Sequence, residues 1–166
     1  MQIYENILET IGNTPLVKLR RFHPVGATVA AKIESFNPGA SNKDRIGLAL
    51  IAAGERQGLL KPGGTIVEPT SGNTGLALAM AAARLGYRLV CTAPDKISKE
   101  NTALLRAFGA EVGTCPTSVA ADDPRSYYKV AERIRDERGA YLPNQYHNPA
   151  NPLAHYATTG PEIWRQ

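Results

Sequence analysis

Short β-branched runs alternate with longer helical patterns along most of the chain, and this alternation restricts the fold more than any other feature. Residues 28–34 (TVAAKIE) read as a strand, followed by a helix over 43–57 that Gly58 and Pro62 close. Residues 65–68 (TIVE) read as the next strand. An Ala/Leu-rich helix follows over 73–85 and stops at Gly86, where glycine tolerates a left-handed cap. The pattern repeats with a strand over 87–92, a helix over 98–108 ended by Gly109, and a strand over 111–115. A helix over 124–138, Gly139, a short strand over 140–142 and a last helix over 153–166 complete it. Each helical segment is long enough to serve as the crossover that parallel strands require. The expected fold is therefore α/β, a three-layer sandwich with a mainly parallel sheet. A chain of 166 residues with 43% hydrophobic and 20% charged content can bury one such core. The units share no sequence repeat, which excludes a solenoid. Asn-Pro occurs twice in 144–152, marking a loop before the last helix, and the chain ends inside that helix, as a truncated fold would.

The formal charge of +4 does not point to a nucleic-acid partner, because the basic residues are scattered and interleaved with acids. Cys91 and Cys115 stand in no metal-binding spacing and read as small apolar core residues of a reducing compartment. No apolar run approaches the ~18–20 residues of a membrane span, since even 76–85 is interrupted by Arg84. The start lacks the basic and apolar segments of a secretory signal, so a cytoplasmic location without membrane association is expected.

Ligands of open α/β sheets bind where strands end and helices begin. One such loop is Glu68-Pro69-Thr70-Ser71-Gly72-Asn73-Thr74-Gly75. Its glycines permit close backbone approach, and its amides and helix dipole suit an anion. Thr70, Ser71, Asn73 and Thr74 add side-chain donors for a carboxylate or phosphate. Neither the P-loop nor the dinucleotide fingerprint fits, which counts against a nucleotide-binding domain. Helix capping would need only one of these polar residues. The second loop is Asn37-Pro38-Gly39-Ala40-Ser41-Asn42-Lys43-Asp44-Arg45. Ser41 and Asp44 have capping-box spacing, which would set Lys43 in the first helical turn. The positive end of a helix disfavours an ammonium there, and a lysine must shed its proton to attack a carbonyl. From the residues alone, Lys43 is either such a nucleophile or an ordinary solvated lysine.

These two loops, together with Phe108-Gly109-Ala110-Glu111-Val112, Asn148-Pro149-Ala150-Asn151-Pro152 and Thr158-Thr159-Gly160-Pro161-Glu162-Ile163-Trp164, resemble the cysteine synthase and cystathionine β-synthase family in order and spacing. The resemblance covers essentially the whole chain. Gln145-Tyr146-His147-Asn148, the segment 151–156 and Asp123-Pro124-Arg125-Ser126-Tyr127-Tyr128 look closer to the cystathionine β-synthases. The resemblance implies a tryptophan-synthase β-subunit-like fold and pyridoxal 5′-phosphate (PLP) as cofactor. It implies that Lys43 binds PLP as a Schiff base and removes the substrate α-proton, and that Asn73 holds the cofactor's 3′-oxygen. Thr70, Ser71, Gly72, Thr74 and Gln145 would hold the substrate α-carboxylate, and Tyr146 would assist at the β-leaving group. The reaction implied is β-replacement on L-serine or an O-activated serine by a thiol or sulfide, with cysteine synthase as the alternative. The family's phosphate-binding loop would lie beyond Gln166; Gly63-Gly64-Thr65, which precedes a strand, reads as a plain turn instead. Residues 1–166 alone are thus expected to be inactive. Residues 1–40 would belong partly to the large domain, 41–150 would form the small α/β domain, and 151–166 would lead back into the large one. A homodimer is expected when the chain is complete. The reading from another class is a non-catalytic module that binds an amino acid or a protein partner.

Overall fold

Residues 3–21, 26–70 and 72–166 are described in a computed structural model. Three runs form its parallel sheet: β3 (Thr65–Pro69), β4 (Arg88–Pro94) and β5 (Glu111–Cys115). Their order is β3-β4-β5, with Val67 opposite Val90 and Val90 opposite Glu111. Both faces of β3 are covered, which is why Ile66, Val67 and Glu68 are all buried rather than alternating with exposed residues. On the free side of β3, Tyr141 forms a parallel bridge to Ile66. Its N–H donates to Thr65 O at 2.8 Å, and its carbonyl accepts from Val67 N–H at 2.9 Å. The strand expected over 140–142 is reduced to this one bridge, because the next ladder donor would be Pro143, which has no N–H.

Helices α1 (Lys43–Arg56), α2 (Asn73–Leu85) and α3 (Lys99–Ala107) accompany the sheet, and α4 (Tyr127–Arg138) returns the chain from β5 to the Tyr141 bridge. Ile46, Leu50 and Ile51 of α1 share one core with Ile66, Leu78 and Leu105. Val67, Val90, Ala131 and Ala140 form a second core with Ile134 and Leu142, in which α4 takes part. Neighbouring residues of β3 thus feed opposite cores, giving the three layers expected from the alternation. The helix ends follow local chemistry. Gly86 (φ 79°) and Gly139 (φ 59°) close α2 and α4 in the left-handed region. Ser98 and Ser126 cap α3 and α4, accepting from Asn101 N–H and Lys129 N–H. Because Ser126 takes the cap, α4 begins three residues later than its pattern suggests.

Two further expectations need correction. The strand read over 28–34 is only β2 (Ala30–Lys32), and it pairs antiparallel with β1 (Leu16–Lys18) in a separate two-stranded sheet. The last helix is two helices, α5 (Ala150–Ala157) and α6 (Thr159–Arg165), broken at Thr158 (φ −122°, ψ −68°). Pro161 cannot donate to Ala157, Gly160 is a poor helix former, and the Thr158 hydroxyl donates to Ala154 O at 2.7 Å. Because α5 begins at Ala150, the loop before it is shorter than 144–152.

A buried arginine joins α1, α6 and the leading segment. Arg45 donates to Glu34 through Nε at 2.8 Å and Nη2 at 2.9 Å. It donates to Glu162 through Nη1 at 2.7 Å and Nη2 at 2.8 Å. Lys32 adds an ion pair to Glu162 at 2.8 Å, and the Thr14 hydroxyl donates to Glu34. Two forked pairs on one guanidinium compensate desolvation that a single contact would not. The Arg45 hydrogen bonds hold Glu162 down at about 2. Burial alone would raise Glu34, but hydrogen bonds from Arg45, Thr14 and Asn37 bring it below its ordinary value. Depressed carboxylates stabilise above their unfolded pKa and lose that contribution as pH falls through the folded one. Arg45→Ala is expected to cost about 3–5 kcal/mol at pH 7, and to flatten the loss of stability seen as pH falls from 4.5 toward 2. Denaturant unfolding of the complete protein across that range measures both.

Candidate active site

β3 lies between β4 on one side and the Tyr141 bridge on the other. The loop leaving β3 and the loop leaving the Tyr141 bridge face each other across a crevice at the carboxyl end of β3, where α/β sheets place ligands. A cavity of about 420 Å³ lies there, within the range of roughly 300–1,000 Å³ usual for small-molecule sites. Its walls bring together Lys43, Thr70, Gly72, Asn73, Thr74, Gln145 and Tyr146. Of the residues expected at the site, Ser71 alone lies outside the described residues. Pro69, Tyr127 and Asn151 also line the cavity.

Lys43 is carried to the cavity by packing between α1 and α2. A Cβ placed on Gly47 would lie 2.9 Å from Ala77 Cβ, so the two helices meet closely through this pair. One turn back along each helix stand Lys43 and Asn73, both in the cavity wall. The capping box expected at the start of α1 is shifted. Ser41 Oγ accepts from Lys43 N–H at 3.1 Å rather than from Asp44 N–H, while the Asp44 carboxylate, which the Ser41 backbone amide also faces, accepts from Gly39 N–H at 2.6 Å. A Cβ at Gly39 would overlap the Asp44 carboxylate, so any other residue there would force that carboxylate to shift. His155, half-buried, is kept below its ordinary pKa by burial and then by the charges of Lys43 and Arg45.

The loop after β3 enters α2 through Gly72, the N-cap (φ −141°, ψ −148°). A Cβ on Gly72 would meet nothing within 4 Å among the described residues beyond its chain neighbours, which leaves the backbone open at this point. The first amides of α2 have no intrahelical acceptors. Gly75 allows the helix to start close to β3, since a Cβ there would lie 2.9 Å from Thr70 Cγ2. Thr70 and Thr74 are buried while Asn73 is exposed. From across the crevice, Gln145 is fixed at three points. Thr74 Oγ1 donates to its Oε1 at 2.6 Å, Asn151 Nδ2 donates to its carbonyl at 2.9 Å, and its own N–H donates to Glu68 at 3.0 Å.

Glu68 is fully buried and also accepts from Asn144 N–H at 2.9 Å. Burial pushes its carboxyl up to about 7, against the lowering effect of the two amides. Burial, with Glu68 adding to it, pushes the neighbouring Cys91 thiol up to about 12. At the rim, the Tyr127 hydroxyl donates to Tyr128 at 2.6 Å, and the Tyr128 ring meets Tyr146 edge-on at 6.4 Å. Sequence reasoning did not single out Glu68, Asn151 or Tyr127 as site residues. A carboxylate in the apolar run TIVEP was a signal for the first. Asn151 was read as turn chemistry, and Tyr127 reaches the cavity only because α4 returns over the sheet.

Residues 7–166 match the family of pyridoxal-phosphate dependent enzymes, and the chain belongs to that family. It is 47% identical over 169 residues to cystathionine β-synthase of Rattus norvegicus, covering 99% of this chain and 30% of that protein. It is 48% identical over 163 residues to cysteine synthase of Staphylococcus aureus (strain Mu50 / ATCC 700699), covering 98% of this chain and 52% of that one. The crystal structure of O-ureido-L-serine synthase aligns with a TM-score of 0.90 at 44% identity, covering 98% of this chain and 50% of that chain. The chain thus spans about half or less of these relatives, and its fold is the corresponding part of the fold-type II architecture. Near-equal identity to two differently named enzymes does not separate the branches. The cofactor of the family is PLP, and the cavity fits its carbonyl and ring end. The amine of Lys43 and the carboxamide of Asn73 line a space left open above Gly72.

A carboxyl raised in the folded state favours folding below its unfolded pKa, and that contribution is lost as pH rises through the folded value. Stability of the complete protein is therefore expected to fall as pH rises from 4.5 through about 7. Glu68→Gln should remove that slope. Denaturation midpoints of both proteins, taken between those limits, check it; an unchanged slope in the variant would contradict the assignment to Glu68.

Proposed function

We propose that the complete protein catalyses PLP-dependent β-replacement on L-serine or an O-activated serine with a thiol or sulfide, in the manner of a cystathionine β-synthase. The observation that carries this reading is the convergence of Lys43 with Thr70, Thr74 and Gln145 on one cavity. Lys43 supplies the amine that would hold the cofactor and then move the substrate α-proton. Asn73 offers its carboxamide to the cofactor's 3′-oxygen. Bound PLP supplies an electron sink for the α-carbon. Thr70, Ser71, Gly72, Thr74 and Gln145 bind and orient the α-carboxylate at the start of α2, where free amides favour an anion. With Gln145 Oε1 already accepting from Thr74, its Nε2 is the end left to donate to a ligand. Tyr146 stands at the rim to assist the β-substituent, and the Tyr127–Tyr128–Tyr146 cluster beside it supports the cystathionine-forming branch. The second reading, cysteine synthase, is supported by the 48% identity to the Staphylococcus aureus enzyme.

On this reading residues 41–150 are the small domain, residues 1–40 belong partly to the large domain, and 151–166 lead into the rest of it. The exposure of Leu153, Tyr156 and Trp164 on α5 and α6 supports further cover there. The complete protein would work as a cytoplasmic homodimer, and residues 1–166 alone would not turn over substrate. The test reconstitutes the complete protein with PLP and follows L-serine with a thiol and O-acetylserine with sulfide. Lys43→Ala is expected to lower turnover roughly 10²–10⁴-fold. Turnover left intact in that variant overturns the role of Lys43. Turnover by residues 1–166 alone overturns the need for a further segment.

A further inference from the structure

Glu68 reaches beyond its own loop motif to the backbone of Asn144 and Gln145. Pairing along the free side of β3 ends at Pro143, and the chain then turns through Asn144, whose φ of 52° is left-handed. The turn points two consecutive N–H groups inward. They meet the two oxygens of one carboxylate, Asn144 N–H to Oε2 at 2.9 Å and Gln145 N–H to Oε1 at 3.0 Å. Successive amides around a left-handed residue make an anion-binding concavity, and here an internal side chain fills it. A neutral carboxamide could offer only one acceptor oxygen to the pair.

We propose that Glu68 is a positioning residue for the amino-acid substrate: its carboxylate fixes the Asn144–Gln145 backbone and thereby holds the Gln145 side chain against Thr74 at the start of α2. The inference rests on the reading of this cavity as an amino-acid carboxylate site. Three contacts from three elements converge on Gln145, and Glu68 supplies the only one that sets its backbone nitrogen. Cys91 of β4, Tyr141 and Tyr146 are the titratable groups that couple to Glu68, and the pKa of each is raised. All three stay uncharged at neutral pH, so the ionisation in the concavity around that pH belongs to Glu68 itself.

The experiment uses the complete, PLP-loaded protein and titrates L-serine and O-acetylserine, reading the absorbance of the bound cofactor. Glu68→Gln is expected to weaken amino-acid binding about tenfold or more, with PLP loading and kcat at saturation changed by less than about twofold. A purely structural role would move loading and kcat together with affinity. A folded, PLP-loaded variant that binds both amino acids as the wild type does overturns the proposal. Hydrogen exchange of the wild type gives a reading that needs no variant. The Asn144 and Gln145 amides should be as protected as those of β3 before substrate is added, and exchange at the rate of exposed loops overturns the contact. A wild type whose cofactor spectrum ignores both amino acids defeats the functional reading itself. A responsive wild type with an equally responsive variant defeats only the assignment to Glu68.

Discussion

The pairing of β3 on both edges governs the rest of the molecule. β4 takes five residues of it in parallel register, while Tyr141 takes a single bridge on the other edge. One edge is long because nothing in β4 interrupts donors, and the other is short because Pro143 does. The chain is therefore released from the sheet at the carboxyl end of β3, opposite the loop that runs into α2. Two loops some seventy residues apart in sequence thus face each other across one crevice, and the close α1–α2 contact at Gly47 and Ala77 brings Lys43 to the same place.

Two buried charge centres are handled differently. Arg45 satisfies two glutamates at once, and all three groups stay charged, so the centre fastens α1 to α6 and stabilises folding near neutral pH. Glu68 has amides for partners rather than a cation, and its burial opposes folding once the proton is lost. A protein keeps such a group where geometry gains from it, and here the gain is the fixed position of Gln145 beside Thr74.

Much of this was legible in the sequence where the determinant is local. The bounds of α2 follow from its Ala/Leu run, the glycine before it and Gly86 after it, and α1 ends within one residue of its expected limit. The facing of the two loops was legible only through resemblance, because no spacing in the sequence shows that 68–75 and 145–146 meet. What the sequence hid is non-local. β1 went unread and β2 was read longer than it is, because their extent is set by pairing with each other. Glu68 finds its amides 76 and 77 residues away. The break between α5 and α6 was written locally in Gly160-Pro161, yet the apolar pattern around it masked the stop.

The central claim is that this crevice holds PLP through Lys43. Reducing the cofactor onto the complete protein with borohydride and mapping the modified peptide measures it directly. The label is expected on Lys43, in the peptide that begins α1. A label on any other lysine would contradict it.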